Sequence, residues 1–202
     1  MLSTYSDIQN DFIRKAGIQT TTAYYTDAIV GAWAQQAHRW ATSYKKWPFT
    51  EGRVSTTYAA STEEWLFEGY KADSIRMVII GDKRLQKLNY EDYLLMKEKS
   101  AGSSDRVYSS FGRLVIVNPN VDASGTMVAY GQYAPADIDI TDSAATTVFS
   151  NGDEEGNVAI VDEMISFLMT REKKDKEAQF YHERAMAALE ALWVKTQGEK
   201  FT

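Results

Sequence analysis

Histidines and paired acids are the residues of this chain that could perform acid–base chemistry. Its two histidines, His38 and His182, belong to no H-E-x-x-H or comparable ligand spacing. Both are predicted to lie off the apolar faces of their helices, so we interpret them as solvated or interface side chains. The pair Glu63 and Glu64 precedes an aromatic run, as acids do in carbohydrate sites. A strand with a solvated start and a buried end explains that pair more simply.

A metal or cofactor site is not predicted. Asp153, Glu154 and Glu155 could hold a divalent cation with Asp162, but EF-hand spacing is missing. An acidic helix start, which the helix dipole favours, is the simpler interpretation of the run. The chain has no cysteine and no phosphate-binding or nucleophile-elbow motif. We therefore expect a protein that is not an enzyme and needs no cofactor.

Composition and charge exclude several classes of protein. The 202 residues are 44% apolar and 25% charged, as expected for a chain with a real core. With 22 basic and 28 acidic residues, the net charge is −6, which argues against a sequence-independent nucleic-acid coat. No apolar run reaches bilayer-spanning length, and no signal peptide is visible, so we expect a soluble, intracellular protein without a membrane partner.

Tryptophans and basic residues also have simple structural interpretations. Trp33, Trp40 and Trp47 could stack on single-stranded nucleic acid, but their helical spacing predicts a stripe facing the core. The basic cluster from Arg171 to Lys176 surrounds a predicted turn between helices. Cations are favoured at the end of a helix, so we interpret this cluster as structural.

Helices are predicted at both ends of the chain. The first begins at Thr4, with Asp7 completing a capping box, and ends before Gly17. The second begins near Thr26 and is predicted to continue to Trp47, before Pro48. Two more follow, at 156–173 and from Asp175 onward, and form an antiparallel hairpin. The third helix is apolar on two sides, so we expect it at the centre of a bundle.

The middle of the chain has strand periodicity and turn residues. Strands are predicted around residues 75–79, 108–116 and 127–133, with turns at Gly81-Asp82 and Pro119-Asn120. Leu85 and Leu88 belong to the strand that returns from the first turn. Asn89 caps a short helix that covers Tyr90–Lys99. Local turns between short strands favour an antiparallel sheet.

The predicted fold class is therefore α+β, with an antiparallel helical bundle from the chain ends and an inserted antiparallel β module. We expect a single domain in which residues 4–47 are helical and residues 53–135 form the β module with one short helix. A polar connector covers 136–157, a helical hairpin covers 153–197, and a tail covers 198–202.

The order of these features resembles the head-to-tail adaptor, or connector, proteins of tailed bacteriophages. The segment YYTDAIVGAWAQQAHRWA is similar to the second helix of that family. SIRMVIIGDKRLQKLNYEDYLL resembles its strand, hairpin, strand and short helix, and RVYSSFGRLVIVNPNVDASGTMVAYGQYAP resembles its next strand pair. EGNVAIVDEMISFLMTREKKDKEAQFYHERAMAALEALW is similar to its closing helical hairpin. Together these segments extend from about Thr4 to Trp193.

The resemblance implies a structural protein of the virion neck, assembled in the host cytoplasm. Such adaptors form a dodecameric ring beneath the portal protein, extend the DNA channel and offer a docking surface to tail or stopper proteins. Double-stranded DNA would pass without specific binding, and the net acidity suits such a channel wall. The connector at 136–157 is longer and more acidic than this family leads us to expect.

Two contact regions follow from the adaptor interpretation. The carboxyl-terminal residues would bind the portal, with these positions as candidates: Trp193, Val194, Lys195, Lys200 and Phe201. The turn formed by Gly81, Asp82 and Lys83 is a candidate contact with a neighbouring subunit or the tail, and a solvated turn is an equal alternative.

Other functions remain open at the sequence level. Another neck or tail protein, a stopper or a tail terminator, is one alternative, although those proteins are usually richer in β-structure. An enzyme acting on a small ligand or a polysaccharide through Glu63 and Glu64 is a weaker one. A transcriptional regulator is disfavoured, because no helix has a cationic face for reading a groove.

Overall fold

A computed structural model of the chain describes residues 2–20, 24–60, 62–99, 104–118, 124–150 and 154–198. The elements, in chain order, are α1 (Tyr5–Ala16), α2 (Asp27–Tyr44), a 3₁₀ turn (Pro48–Thr50), β1 (Glu51–Ala59), β2 (Glu64–Leu66), β3 (Met77–Ile80), β4 (Lys83–Arg84), β5 (Gln86–Lys87), α3 (Tyr90–Lys99), β6 (Val107–Phe111), β7 (Leu114–Val117), β8 (Ser124–Gln132), α4 (Glu155–Arg171) and α5 (Asp175–Gly198). The predicted α+β fold class is confirmed.

The chain divides into two compact units. The helical unit consists of Met1–Trp47 and Pro135–Thr202, and the β unit of Pro48–Ala134. The β unit is thus inserted in sequence between α2 and the connector that leads to α4, close to the boundaries expected for the β module.

Local capping explains where α1 begins and ends. The Thr4 hydroxyl accepts a hydrogen bond from the Asp7 backbone N–H at 3.2 Å, and the Asp7 carboxylate accepts one from the Thr4 N–H at 3.0 Å. Gly17 closes the helix in the left-handed region, with φ of 66°. The predicted capping box and glycine cap are both confirmed.

Helix α2 begins after the Thr26 cap, as predicted, but it ends at Tyr44 and not at Trp47. Lys45 is extended, and the Trp47 indole N–H turns back to donate to the Ala41 carbonyl at 3.0 Å. The predicted tryptophan stripe is not the buried face of the helix. The buried face consists of small residues: Val30, Ala34, Ala37 and Ala41. Trp47 is fully buried, whereas Trp33 and Trp40 pack against the core from its half-buried margin.

Helix α4 lies at the centre of the helical unit, which confirms its predicted position. It packs against α1, α2 and α5, and most of its residues are buried around the circumference. Its partner α5 presents a seam of mostly small or aliphatic residues, Ala178, Ala185, Leu189 and Leu192.

The connector predicted as a polar loop contributes to the core of the helical unit. Ile138 and Phe149 are both buried in that core. The Tyr5 backbone N–H donates to the Ala145 carbonyl at 2.7 Å, which attaches the connector to α1. The polar composition of 136–157 concealed these core residues, because apolar side chains scattered through a loop produce no regular periodicity.

Two four-stranded sheets form the β unit and share one apolar core. The first sheet has the strand order β1-β8-β3-β4, and all of its pairs are antiparallel. The second has the order β2-β7-β6-β5, and its β5–β6 pair is parallel. The sheets are therefore predominantly antiparallel, as predicted, with the β5–β6 pair as the parallel exception among the described strands.

The turn at Gly81-Asp82 joins β3 to β4, as predicted, with Gly81 in the left-handed region at φ of 59°. The returning segment differs from the prediction. Strand β4 is two residues long, Leu85 is buried, and β5 then joins the second sheet. One short segment therefore links both sheets. The predicted turn at Pro119-Asn120 lies outside the described residues.

Helix α3 covers Tyr90–Lys99, as predicted. The Asn89 side-chain oxygen accepts a hydrogen bond from the Asp92 backbone N–H at 2.8 Å and caps the helix. Tyr93 is the buried residue of α3 and packs with Val107 and Ile116 of the second sheet.

Candidate functional site

His38 is buried in the core, contrary to the prediction that it lies off the apolar face of its helix as a solvated or interface side chain. Its side chain is 2% exposed, and its ring lies 6.4 Å from that of Phe149. The face of α2 that packs inward is rotated from the predicted stripe, and this rotation turns His38 into the core. Burial lowers the pKa of His38 to about 4, although Asp137 acts in the opposite direction. His38 is therefore neutral at pH 7 and suits packing better than proton transfer.

His182 lies at the partly exposed side of α5 and pairs with a buried acid of α4. Its Nδ1 lies 2.7 Å from a Glu163 carboxylate oxygen, and its ring is 5.4 Å from that of Trp40. This arrangement holds two helices together. It agrees with the interface interpretation of His182.

The acids beside the aromatic run do not converge. The Glu63 carboxylate accepts a hydrogen bond from the Lys97 ammonium at 2.5 Å, whereas Glu64 is exposed. A polysaccharide-cleaving site needs two carboxylates on either side of one bond. Glu63 is already paired, so this pair gives no support to the enzyme alternative.

The sequence did not predict the buried ion pair of the helical unit. Asp162 of α4 is 1% exposed and lies 3.2 Å from the Arg184 guanidinium of α5. Burial raises the pKa of Asp162, while Arg184 and Lys15 act in the opposite direction. Lys15 also pairs with Asp11 of α1, at 2.9 Å. The sequence does contain one signal for this ion pair, because an acidic residue within a helix that is apolar on several sides needs a buried partner.

The described residues contain no group of three or more metal-ligating acids or histidines. Asp153, one of the acids considered as a ligand, lies outside the described part of the chain. Glu155 begins α4 and lies 3.3 Å from the Lys195 ammonium. Glu155 therefore belongs to an acidic helix start, as interpreted.

The turn formed by Gly81, Asp82 and Lys83 is exposed at all three residues. Arg106 fixes its base by donating to the Ile80 carbonyl at 2.7 Å and to the Lys83 carbonyl at 3.4 Å. The turn thus projects two opposite charges from a fixed base. Both a protein contact and a solvated turn remain consistent with this geometry.

The candidate residues at the carboxyl end have different environments. Trp193 packs against the core, with its ring 5.9 Å from that of Trp47. Val194 is 69% exposed, and Lys195 is exposed beside Glu155. Lys200 and Phe201 lie outside the described residues. Of the described candidates, Val194 is therefore the exposed apolar one, whereas Trp193 has a packing role and Lys195 pairs with Glu155.

The basic cluster between α4 and α5 makes structural contacts, as interpreted. The Arg171 guanidinium lies 5.7 Å from the Tyr25 ring centroid and 5.8 Å from that of Trp33. Lys174 pairs with Glu172 at 2.5 Å.

A partly exposed apolar row in the β unit was not predicted from the sequence; its central residue, Leu114, is half-buried. Leu66 and Phe111 both pair with Leu114, so the three lie side by side across β2, β7 and β6. Tyr90 of α3 extends the row, with its ring 6.4 Å from that of Phe111. Phe111 is 71% exposed. Contiguous exposed apolar groups are typical of protein contact surfaces, and only strand register reveals this one.

Among the described helices, none is long and apolar enough to cross a membrane. No protein-family model matches the chain, and no curated protein matches it.

Proposed function

We propose that the protein is a structural head-to-tail adaptor of a tailed bacteriophage. In this proposal it forms a ring under the portal protein, extends the DNA channel and provides the docking surface for tail or stopper proteins. Its place is the virion neck, and its role is assembly, not catalysis.

The order and bounds of the secondary-structure elements carry the proposal. A capped pair of helices comes first, then a β unit with one short helix, then a closing helical hairpin. The short helix at Tyr90–Lys99 and the hairpin from Glu155 to Gly198 coincide with the segments that resemble the adaptor family. This shared order of elements supports the proposal.

Exposed surfaces of the β unit suit contacts within such an assembly. The row of Leu66, Leu114, Phe111 and Tyr90 offers apolar area to a neighbouring subunit or to the protein docked below. The exposed turn at Asp82 and Lys83 offers charge to either partner. Assembly would bury area that the single chain leaves in water.

The net charge of −6 suits a wall that DNA passes without binding. Like charges repel along the path, so duplex DNA should bind weakly even at low salt. A gel-shift titration at low ionic strength checks this, and tight binding would contradict the channel role.

The decisive experiment mixes the purified chain with its cognate portal protein. Co-sedimentation and negative-stain electron microscopy should show a ring seated on one end of the portal, with the portal's symmetry. Binding to tail tubes but not to the portal would instead support a terminator or stopper. Absence of binding to both would overturn the proposal.

Truncation after Trp193 tests the portal contact. The truncated chain keeps Trp193 in the core and loses Val194 and Lys195, so it should fold normally and fail to attach. Circular dichroism measures folding, and co-sedimentation measures attachment. Normal attachment would refute this assignment while leaving the adaptor proposal standing.

Charge reversal tests the turn. Asp82→Lys and Lys83→Glu should weaken ring formation or tail docking if the turn is a contact, with Lys176→Glu, on exposed α5 surface, as the matched control. Sizes measured by analytical ultracentrifugation that match the control would support a solvated turn.

A further inference from the structure

We propose that the outer edge of β1, together with the pocket beside it, is a docking site for an extended peptide segment of a partner protein. The segment would carry a large apolar or aromatic side chain with a Lys or Arg close by. This inference goes beyond the adaptor role and does not depend on it.

Strand β1 meets the first requirement of such a site, because it lies at the edge of its sheet and, among the described strands, pairs with β8 alone. The Tyr133 backbone N–H donates to the Thr50 carbonyl at 2.8 Å, which extends the same ladder. Hydrogen bonding alternates along an antiparallel strand, so Val54 and Thr56 bond toward β8. The backbone groups of Ser55 and Thr57 consequently point outward, where another strand can pair.

A tyrosine hydroxyl covers the outer edge at the beginning of β1 but not at Ser55 and Thr57. Tyr133 donates to the outward Arg53 carbonyl at 2.6 Å, and Tyr70 supports it from the β8 side by donating to the Gly52 carbonyl at 3.2 Å. Their rings are stacked, with centroids 5.1 Å apart. Among the described residues, the open edge therefore begins directly after this aromatic boundary, at Ser55, because Val54 bonds toward β8.

The pocket is the second requirement and lies on the inward face of β1. Val54 and Thr56 share that face with Tyr58, yet Tyr58 is fully buried while the other two are only half-buried. The space beside them is a pocket of about 270 Å³ that is also lined by Trp65 and Tyr70. Drug-sized sites occupy ~300–1,000 Å³, so this pocket suits a single large side chain.

The geometry of an added strand connects the edge to the pocket. Residues directly opposite each other on paired strands project to the same face. The peptide residue opposite Val54 or Thr56 would therefore place its side chain over the pocket, while peptide backbone groups pair with Ser55 and Thr57. This is the mode in which backbone bonds supply affinity and alternate side chains supply specificity.

Two features of the pocket specify the peptide. The buried indole N–H of Trp65 has no acceptor in the described structure, and a small shift would let it donate to a peptide oxygen. Glu68 lines the pocket and is exposed, and it forms no ion pair with the described residues. Its negative charge favours a basic residue beside the anchoring side chain.

The experiment pans a displayed library of random heptapeptides against the full chain, then measures binding of the synthesised consensus by fluorescence anisotropy. We expect enrichment of alternating apolar peptides with an aromatic or large aliphatic anchor and a Lys or Arg. Absence of enrichment, or an enriched set without this pattern, would overturn the proposal.

Variants separate the edge from the pocket. Ser55→Pro removes an outward N–H without touching the β8 ladder, and Gly69→Leu places a side chain at the pocket where an added Cβ meets no neighbour. Each should weaken binding about tenfold or more, since one or two hydrogen bonds or the anchor are lost. Gly125→Leu, at a glycine equally open but on β8, is the matched control and should bind normally.

The peptide itself provides a test that needs no protein variant. N-methylation of alternate backbone amides in one register should abolish binding, and in the other register should not. Equal binding by both forms would mean that the pocket takes a side chain without strand pairing, which overturns the proposal. Concentration-dependent self-association that Ser55→Pro removes would identify a second copy as the occupant, and this also contradicts it.

Discussion

The helical unit and the β unit bury different kinds of polar group. The helical unit buries side chains that carry or could carry charge, among them Asp162, Glu163 and His38. It places the Arg184 guanidinium beside Asp162 and the His182 ring beside Glu163. The β unit instead buries several phenols, where the helical unit buries that of Tyr5. Four tyrosines are almost completely inaccessible there, namely Tyr58, Tyr70, Tyr93 and Tyr108.

This difference places the pH sensitivity of the two units at opposite ends of the scale. Burial lowers the pKa of His38 to about 4, so the helical unit is weakened in acid. Burial raises the pKa of Tyr70 to about 12, and also that of Tyr93 and of Tyr108, so the β unit is weakened in alkali. The kind of polar group that a core admits therefore determines where each unit fails.

Raising the pH should produce the largest effect, in the β unit. The pKa of a tyrosine in the unfolded chain is near 10, whereas the pKa of each of these three buried tyrosines is about 12. Their contribution to stability is therefore complete below pH 10 and is lost as the pH rises through 12. Each two-unit difference corresponds to about 3 kcal/mol. Fluorine NMR of fluorotryptophan-labelled protein measures this, because Trp65 reports on the β unit and the other tryptophans on the helical unit.

The double variant Tyr93→Phe with Tyr108→Phe removes two of these phenols and should move the Trp65 transition to higher pH. If the Trp47 signal reaches its unfolded position at a lower pH than the Trp65 signal, then the helical unit is the more sensitive to alkali and the expected difference between the units is wrong.

The second-largest loss of stability is expected when an aromatic ring is removed from the helical core. Trp47 is fully buried and touches Phe149 and Trp193, so Trp47→Ala leaves a large cavity and should cost about 3–5 kcal/mol. Urea denaturation followed by circular dichroism measures the loss. Trp33→Ala, at the half-buried margin, is the matched control, and an equal cost at both positions would refute this account of the core.

Sequence predicted best what is decided within a few residues. Thr4 with Asp7, Thr26 and Asn89 each cap the helix that follows them, and the Gly81-Asp82 turn forms between its strands. Such signals are short-range, because the bond that fixes the element joins residues two to four positions apart.

The sequence patterns did not predict how distant segments pack against each other. Periodicity placed the tryptophans of α2 inward, but α4 packs against the alanine face, where small side chains allow close approach. The same rotation buried His38. The parallel β5–β6 pair and the row that ends at Phe111 depend on strand register, which no local pattern encodes.

Acidification should weaken the helical unit through His38. The unfolded histidine takes a proton near pH 6.5 and the folded one only near 4, so stability is full above pH 6.5 and falls across that window. The difference of about 2.5 pKa units corresponds to about 3 kcal/mol. Asp162 opposes this trend, because its raised pKa favours the folded state as it takes a proton.

The melting temperature measured against pH tests the histidine. His38→Gln should flatten the slope between pH 6.5 and 4, and His182→Gln should retain it. A slope that disappears in the His182 variant alone would assign the acid sensitivity to the Glu163 pair instead.

The smallest effect distinguishes two tyrosines that are equally buried. Tyr70 donates to the Gly52 and Ala129 carbonyls, at 3.2 and 3.0 Å, so Tyr70→Phe should cost about 1–2 kcal/mol. The Tyr108 hydroxyl has no partner among the described residues, so Tyr108→Phe removes a desolvated polar group and should gain up to about 1 kcal/mol. Urea denaturation compares the pair. If both variants lose stability equally, the Tyr108 hydroxyl has a bonding partner in solution, and the β unit satisfies its buried phenols as fully as the helical unit pairs its acids.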